Sequence, residues 1–142
     1  MAVVADIDQL STAISHATAP AFMLGAVAGF LSILIARMER IVDRNRMLRA
    51  GDLASLEPSV REAIAGSFTR RMQLLGSAIT FAVLSALVTA ALLIAAFATA
   101  LLGVGHGGIV AMMFAVALTL LIAALVNLAR EIRVQIATMG VD

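Results

Sequence analysis

The stretch MQLLGSAITFAVLSALVTAALLIAAFATALLGVGHGGIVAMMFAVALTLLIAALVNLA, residues 72–129, runs for 58 residues without an Asp, Glu, Lys or Arg. About 20 helical residues cross the ~30 Å hydrocarbon layer of a bilayer, so this run is too long for one crossing and right for two. Its break is visible at Gly103-Val104-Gly105-His106-Gly107-Gly108. Glycines this dense destabilise a helix and read as a turn. Helices are therefore expected at 73–102 and 109–129, with an outer turn at 103–108 between them.

Toward the N-terminus a second charge-free run extends from Gln9 to Ala36 and is most apolar from Pro20 onward. A helix at 20–37 follows, with Pro20 at its start, where a missing N–H matters least. Composition agrees with membrane residence. Hydrophobic residues make up 62%, charged residues 13%, and the mean hydropathy is +1.05; soluble domains carry about 45–50% apolar and about 25% charged residues. A soluble bundle would need polar helix faces, and these spans offer only scattered Ser, Thr and Asn127. A cleaved signal peptide would need a positive leader, whereas Asp6 and Asp8 precede the first span and no Arg does. The fold class is all-α: a polytopic membrane protein with three transmembrane helices in one domain.

Charge gives the orientation. Residues 37–71 hold Arg37, Arg40, Arg44, Arg46, Arg49, Arg61, Arg70 and Arg71, and the tail at 130–142 holds Arg130 and Arg133. All ten basic residues thus fall on one side of a three-pass topology. Arginines in short loops stay cytoplasmic, so the N-terminus is expected outside and the C-terminus in the cytoplasm.

The arginine-rich segment has helical order. Met38, Ile41, Val42 and Leu48 fall near one face, with Arg37, Glu39, Arg40, Asp43 and Arg44 on the rest. The first helix is expected to continue to about Ala50, where Gly51-Asp52 stops it. Pro58 opens a returning helix with Val60, Ile64, Phe68 and Leu75 along one side. Helices 1 and 2 are thus extended into a cytoplasmic helical hairpin at 38–71. Its eight arginines have five acids beside them, Glu39, Asp43, Asp52, Glu57 and Glu62, so acidic partners are expected within the hairpin or in a neighbouring subunit. Arg37, Glu39, Arg40, Asp43, Arg44 and Arg46 are candidate contacts for anionic lipid or a protein partner. Attraction to an anionic surface is worth about 1 kcal/mol per Lys/Arg. In an oligomer the same residues would repeat as a charged ring. A plain salt-bridged, solvated hairpin is the simplest alternative. Nucleic acid is an unsuitable partner, since acids interleave with the arginines and Phe68 is the one aromatic residue there.

Asp6-Ile7-Asp8-Gln9 has the form of a helix N-cap, and Ile7, Leu10, Ile14 and Ala17 recur at helical spacing. Residues 1–18 read as a short amphipathic helix in the outer interface, with Asp6 and Asp8 as a candidate outer mouth. Small residues form four-spaced rows: Gly25 and Gly29; Ala78, Ala82, Ala86 and Ala90; Ala111, Ala115, Thr119, Ala123 and Asn127. Such rows let membrane helices approach closely. They drift about 40° per step, which suits crossing helices. Three helices are few to cover them, so a homo-oligomer is expected, packed through Gly25, Gly29, Ala111, Ala115, Thr119 and Asn127. Asn127 is expected to bond between helices, and Ser77, Thr80, Ser85, Thr89 and Thr99 to bond back to their own.

The absence of cysteine excludes disulfides and thiolate chemistry. No ionisable group lies at depth in the spans, which argues against proton-coupled transport. No nucleophile–base pair, metal-ligand spacing or cofactor motif is present, so neither an enzyme nor a bound cofactor or metal is expected. Two functions are considered. The first reading is a homo-oligomer that conducts an ion or other solute through a hydroxyl-lined path. The runner-up is a non-conducting scaffold or adaptor whose hairpin binds anionic lipid or a protein.

Ala13-Ile14-Ser15 leading to Pro20, the Arg37/Arg40/Asp43-Arg44/Arg46 segment, Arg70-Arg71 and Arg130-Glu131 together resemble a bacterial family of small three-helix integral membrane proteins of unknown function. The resemblance implies a bacterial inner-membrane protein with three helices. It implies no activity.

Overall fold

The computed structural model describes residues 2–51, 57–102 and 107–138. Three α-helices fill these segments: α1 at Ala2–Ala50, α2 at Pro58–Leu102 and α3 at Gly107–Thr138. Each contains a span long and apolar enough to cross a membrane, within Ala17–Met47, Pro58–Thr99 and Gly107–Ala137. The protein is a multi-pass, all-α membrane protein. Phe22, Leu87, Ile94, Met112 and Ile122 all stand largely uncovered on the three helices. A water-facing surface would not tolerate large apolar side chains so distributed, whereas lipid provides their contacts.

Helix α1 runs unbroken through Pro20, which corrects the expectation of a separate amphipathic helix at 1–18 and a start at residue 20. Proline removes one intrahelical bond, and membrane helices accommodate that loss. In the same stretch Ser15 donates to Ser11 O at 2.9 Å and Thr18 to Ile14 O at 2.9 Å, hydroxyls bonding back to their own helix. At the other end the Gly51 N–H donates to Met47 O at 2.9 Å, closing the last turn. Glu57 O accepts from Val60 and Arg61, both at 3.1 Å, so Pro58 occupies the first helical position, where it has no bond to lose.

Helix α2 packs along both α1 and α3, which scarcely touch each other. The buried positions reveal the packing mode. Along α2 they are Leu75, Ala78, Ala82, Ser85, Thr89 and Leu92, in alternating steps of three and four. On α1 they include Val27, Leu34 and Ile41, and on α3 Ala117, Ala124 and Glu131, both in steps of seven. A seven-residue repeat belongs to gently crossing, left-handed helix packing. The four-spaced row Ala78, Ala82, Ala86, Ala90 therefore does not define the seam. Its drift leaves Ala86 and Ala90 only half-buried, and Ser85 and Thr89 take the inner positions instead.

Candidate functional site

Chemistry gathers where the charge-free runs end. Arg37 follows Ala36 on α1, Arg71 precedes Met72 on α2, and Glu131 lies just past Ala129 on α3. Antiparallel packing brings all three to one level. Glu131 is fully buried, because it continues the inward register of Ala117 and Ala124. Its neighbour Arg130 is exposed, one helical step away on the outer face.

Both oxygens of Glu131 are satisfied. Arg71 donates Nε–H to Oε1 at 3.0 Å and sets Nη2 2.9 Å from the same oxygen. Arg37 donates from Nη1 to Oε2 at 3.2 Å. The Arg71 side chain is 19% exposed and that of Arg37 37%, so Arg71 makes the tighter and drier contact. Burying a lone carboxylate costs several kcal/mol, and charge-assisted bonds offset that cost. The cluster also ties α1 to α3, whose backbones otherwise lie apart.

For Arg37 and Arg71 this corrects the expected pairing: the acid that binds them comes from α3 of the same chain, not from the arginine-rich segment. A sequence signal existed: Glu131 stands seven residues beyond Ala124 and fourteen beyond Ala117.

Beside the cluster lies a cleft of about 880 Å³. Arg37, Arg40 and Arg44 from α1 and Arg71 from α2 line it, against the single carboxylate of Glu131. Ile41, Val60, Ile64 and Phe68 form its apolar wall, and Asn45, Ser59, Ser67 and Gln135 add polar groups. Arg40 and Arg44 are exposed and form no ion pair among the described residues. Four guanidinium groups against one carboxylate leave three positive charges uncompensated within the lining.

The other residues singled out from sequence lie elsewhere. Glu39, Asp43 and Arg46 are exposed and outside the cleft lining. Gly25, Gly29, Ala111, Ala115 and Thr119 are exposed and take no part in the core within the chain. A Cβ at Gly25 or Gly29 would meet nothing within 4 Å. Asn127 is half-buried, while Ser85 bonds across helices to Ala117 O at 2.8 Å and Thr89 to Met23 Sδ at 3.9 Å. That corrects the expectation that Ser85 bonds back to its own helix. Ser77, Thr80, Thr89 and Thr99 do so, to Leu74 O, Gly76 O, Ser85 O and Ala96 O. Asp6 and Asp8 belong to α1 by backbone, and their side chains lie outside what the structure describes. So do the turn residues 103–106, His106 among them.

Residues 17–141 match the family described as "Protein of unknown function (DUF2721)". The chain belongs to this family. The match begins near the start of the first apolar span and runs past Glu131, so the DUF2721 region includes the charge cluster and every residue lining the cleft. No curated protein and no solved structure matches the chain.

Proposed function

We propose that this DUF2721 protein is a non-conducting membrane adaptor whose arginine end holds an anionic group at the cytoplasmic surface. Arg40 and Arg44 carry the reading: two guanidinium groups on the wall of a cleft, with no acidic partner among the described residues. In a solvated, salt-bridged hairpin Arg40 would be expected to pair with Asp43, one turn along α1, and Arg44 with an acid of α2; neither pair is among the ion pairs of the described residues. The apolar wall beside them favours a ligand with an apolar part.

The distribution of arginines supports a cytoplasmic location for residues 37–71 and 130–142; a bacterial inner-membrane setting is what the sequence resemblance implies. The conducting alternative draws less support. The seam between the helices is filled by fully buried side chains, including Ala78, Ala82 and Ala117, so any path would have to run between subunits. Self-association has its own observation: the small-residue faces at Gly25/Gly29 and Ala111/Ala115 lie uncovered by the chain's own helices.

Native mass spectrometry of the protein in mild detergent, with lipid retained, tests the adaptor reading. Anionic adducts are expected on the native chain and should be depleted in Arg40→Gln/Arg44→Gln. Proteoliposomes should show no ion flux above protein-free vesicles. Equal adducts on both chains, or ion flux above that of protein-free vesicles, would overturn it.

A further inference from the structure

Given that reading of the cleft as an anion receptor, we infer that its ligand is a phosphomonoester headgroup carried by a lipid. Charge selects the headgroup. The lining holds Arg37, Arg40, Arg44 and Arg71 against Glu131. A phosphodiester brings one negative charge, whereas a phosphomonoester brings about 1.5–2 at neutral pH and three acceptor oxygens. The second group compensates more of the surplus and has an oxygen for each of several guanidinium groups. Planar guanidinium forks pair in bidentate fashion with such oxygens.

Position selects the lipid. The cleft begins at Arg37 and Arg71, where the apolar runs stop, and continues along α1 to Arg44 and Asn45. At 1.5 Å per residue that is about 10 Å, comparable with the headgroup layer of about 5–8 Å on each side of the hydrocarbon. A lipid phosphate diffusing in this layer reaches the arginines without leaving the membrane. Ile41, Ile64 and Phe68 on the same wall offer its glycerol and upper acyl carbons apolar contact that a soluble phosphate would not use.

Glu131 sets the inner limit of the site. It already occupies Arg71 through two donor nitrogens and Arg37 through one. Arg40 and Arg44 therefore make the first contact, and the exposed part of Arg37 can turn to share the phosphate.

Fluorescence anisotropy of short-chain labelled phosphatidate and phosphatidylglycerol with the purified full-length protein tests this. Phosphatidate should bind about fivefold tighter, the equivalent of one extra surface charge, and Arg40→Gln/Arg44→Gln should weaken it about 30-fold. Circular dichroism melting of the variant checks that it is folded; both residues are exposed, so the melt should not change. Equal binding of the two lipids, lost in the variant, would overturn the phosphomonoester preference and leave the anion receptor standing. Binding of neither lipid, or binding unaltered by the substitutions, would overturn both. Inorganic phosphate at the same concentration should displace little phosphatidate; full displacement would overturn the lipid as the source.

Discussion

Arg71 on α2 turns two of its donor nitrogens, Nε and Nη2, toward a single oxygen of Glu131 on α3, at 3.0 and 2.9 Å. The carboxylate's other oxygen is left for Arg37 on α1. One acid therefore fastens all three helices at the level where their apolar runs end, and its loss strands two cations at once.

Glu131→Gln should be among the most damaging single substitutions: stranding a fully buried charge costs about 3–5 kcal/mol, and the partial exposure of Arg71 and Arg37 brings the loss below that. Arg71→Ala should cost nearly as much. Arg37→Ala should cost clearly less, since its side chain is more exposed and screened by solvent. Thermal unfolding in mild detergent, followed by circular dichroism, gives the order. An Arg37 variant less stable than the Arg71 variant would contradict it.

Ser85 couples α2 to α3 in two ways, through its bond to Ala117 O and through its small size. Ser85→Ala should lose only about 0.6 kcal/mol, the average measured for hydrogen bonds between membrane helices. Ser85→Leu should lose about 1–3 kcal/mol by overpacking the seam. Unfolding in graded denaturing detergent separates the two; equal effects would mean that packing at this position is loose.

Gly25 and Gly29 provide the contrast with Ala82, which is fully buried in the core. Gly25→Leu/Gly29→Leu should leave the melting midpoint of the chain nearly unchanged and abolish larger species in native mass spectra. Ala82→Leu should lower the midpoint. Unchanged oligomers in the glycine variant would remove this face from the assembly.

Topology is open to a direct check because the chain has no cysteine of its own. Single cysteines at Ala50 and Ala137, both exposed, should be shielded from a membrane-impermeant maleimide in intact cells, and one at Gly108 should react. The reverse pattern would invert the orientation and place the cleft outside.

Much of the fold was legible because charge is so unevenly spread. A run of 58 residues without a charge, broken by glycines, allows only two crossings. Helix ends at Gly51 and Pro58 follow from backbone chemistry alone. The continuity of α1 through Pro20 was not legible, since a proline reads equally as a start or as a tolerated interior residue. The site was half legible: Arg37, Arg40 and Arg44 stood out by their density. Glu131 did not, because its importance depends on helix phase, and a Glu flanked by Arg130 looks like any exposed tail residue. The four-spaced row Ala78, Ala82, Ala86, Ala90 does not trace the seam for a related reason. It catches the eye in an alanine-rich chain, while burial within the chain follows the less conspicuous seven-residue repeat of Ala117, Ala124 and Glu131.

An anion held by the arginines of the cleft would raise the unfolding temperature of the purified protein when anionic lipid replaces zwitterionic lipid around it. A ligand that binds only the folded state at a hundred times its Kd stabilises by about 2.7 kcal/mol, so the native chain should melt several degrees higher. Arg40→Gln/Arg44→Gln should show little of that rise. The same rise in both, or none in either, would mean that no anion is held there and would leave Arg40 and Arg44 as charges that only orient the helices in the membrane.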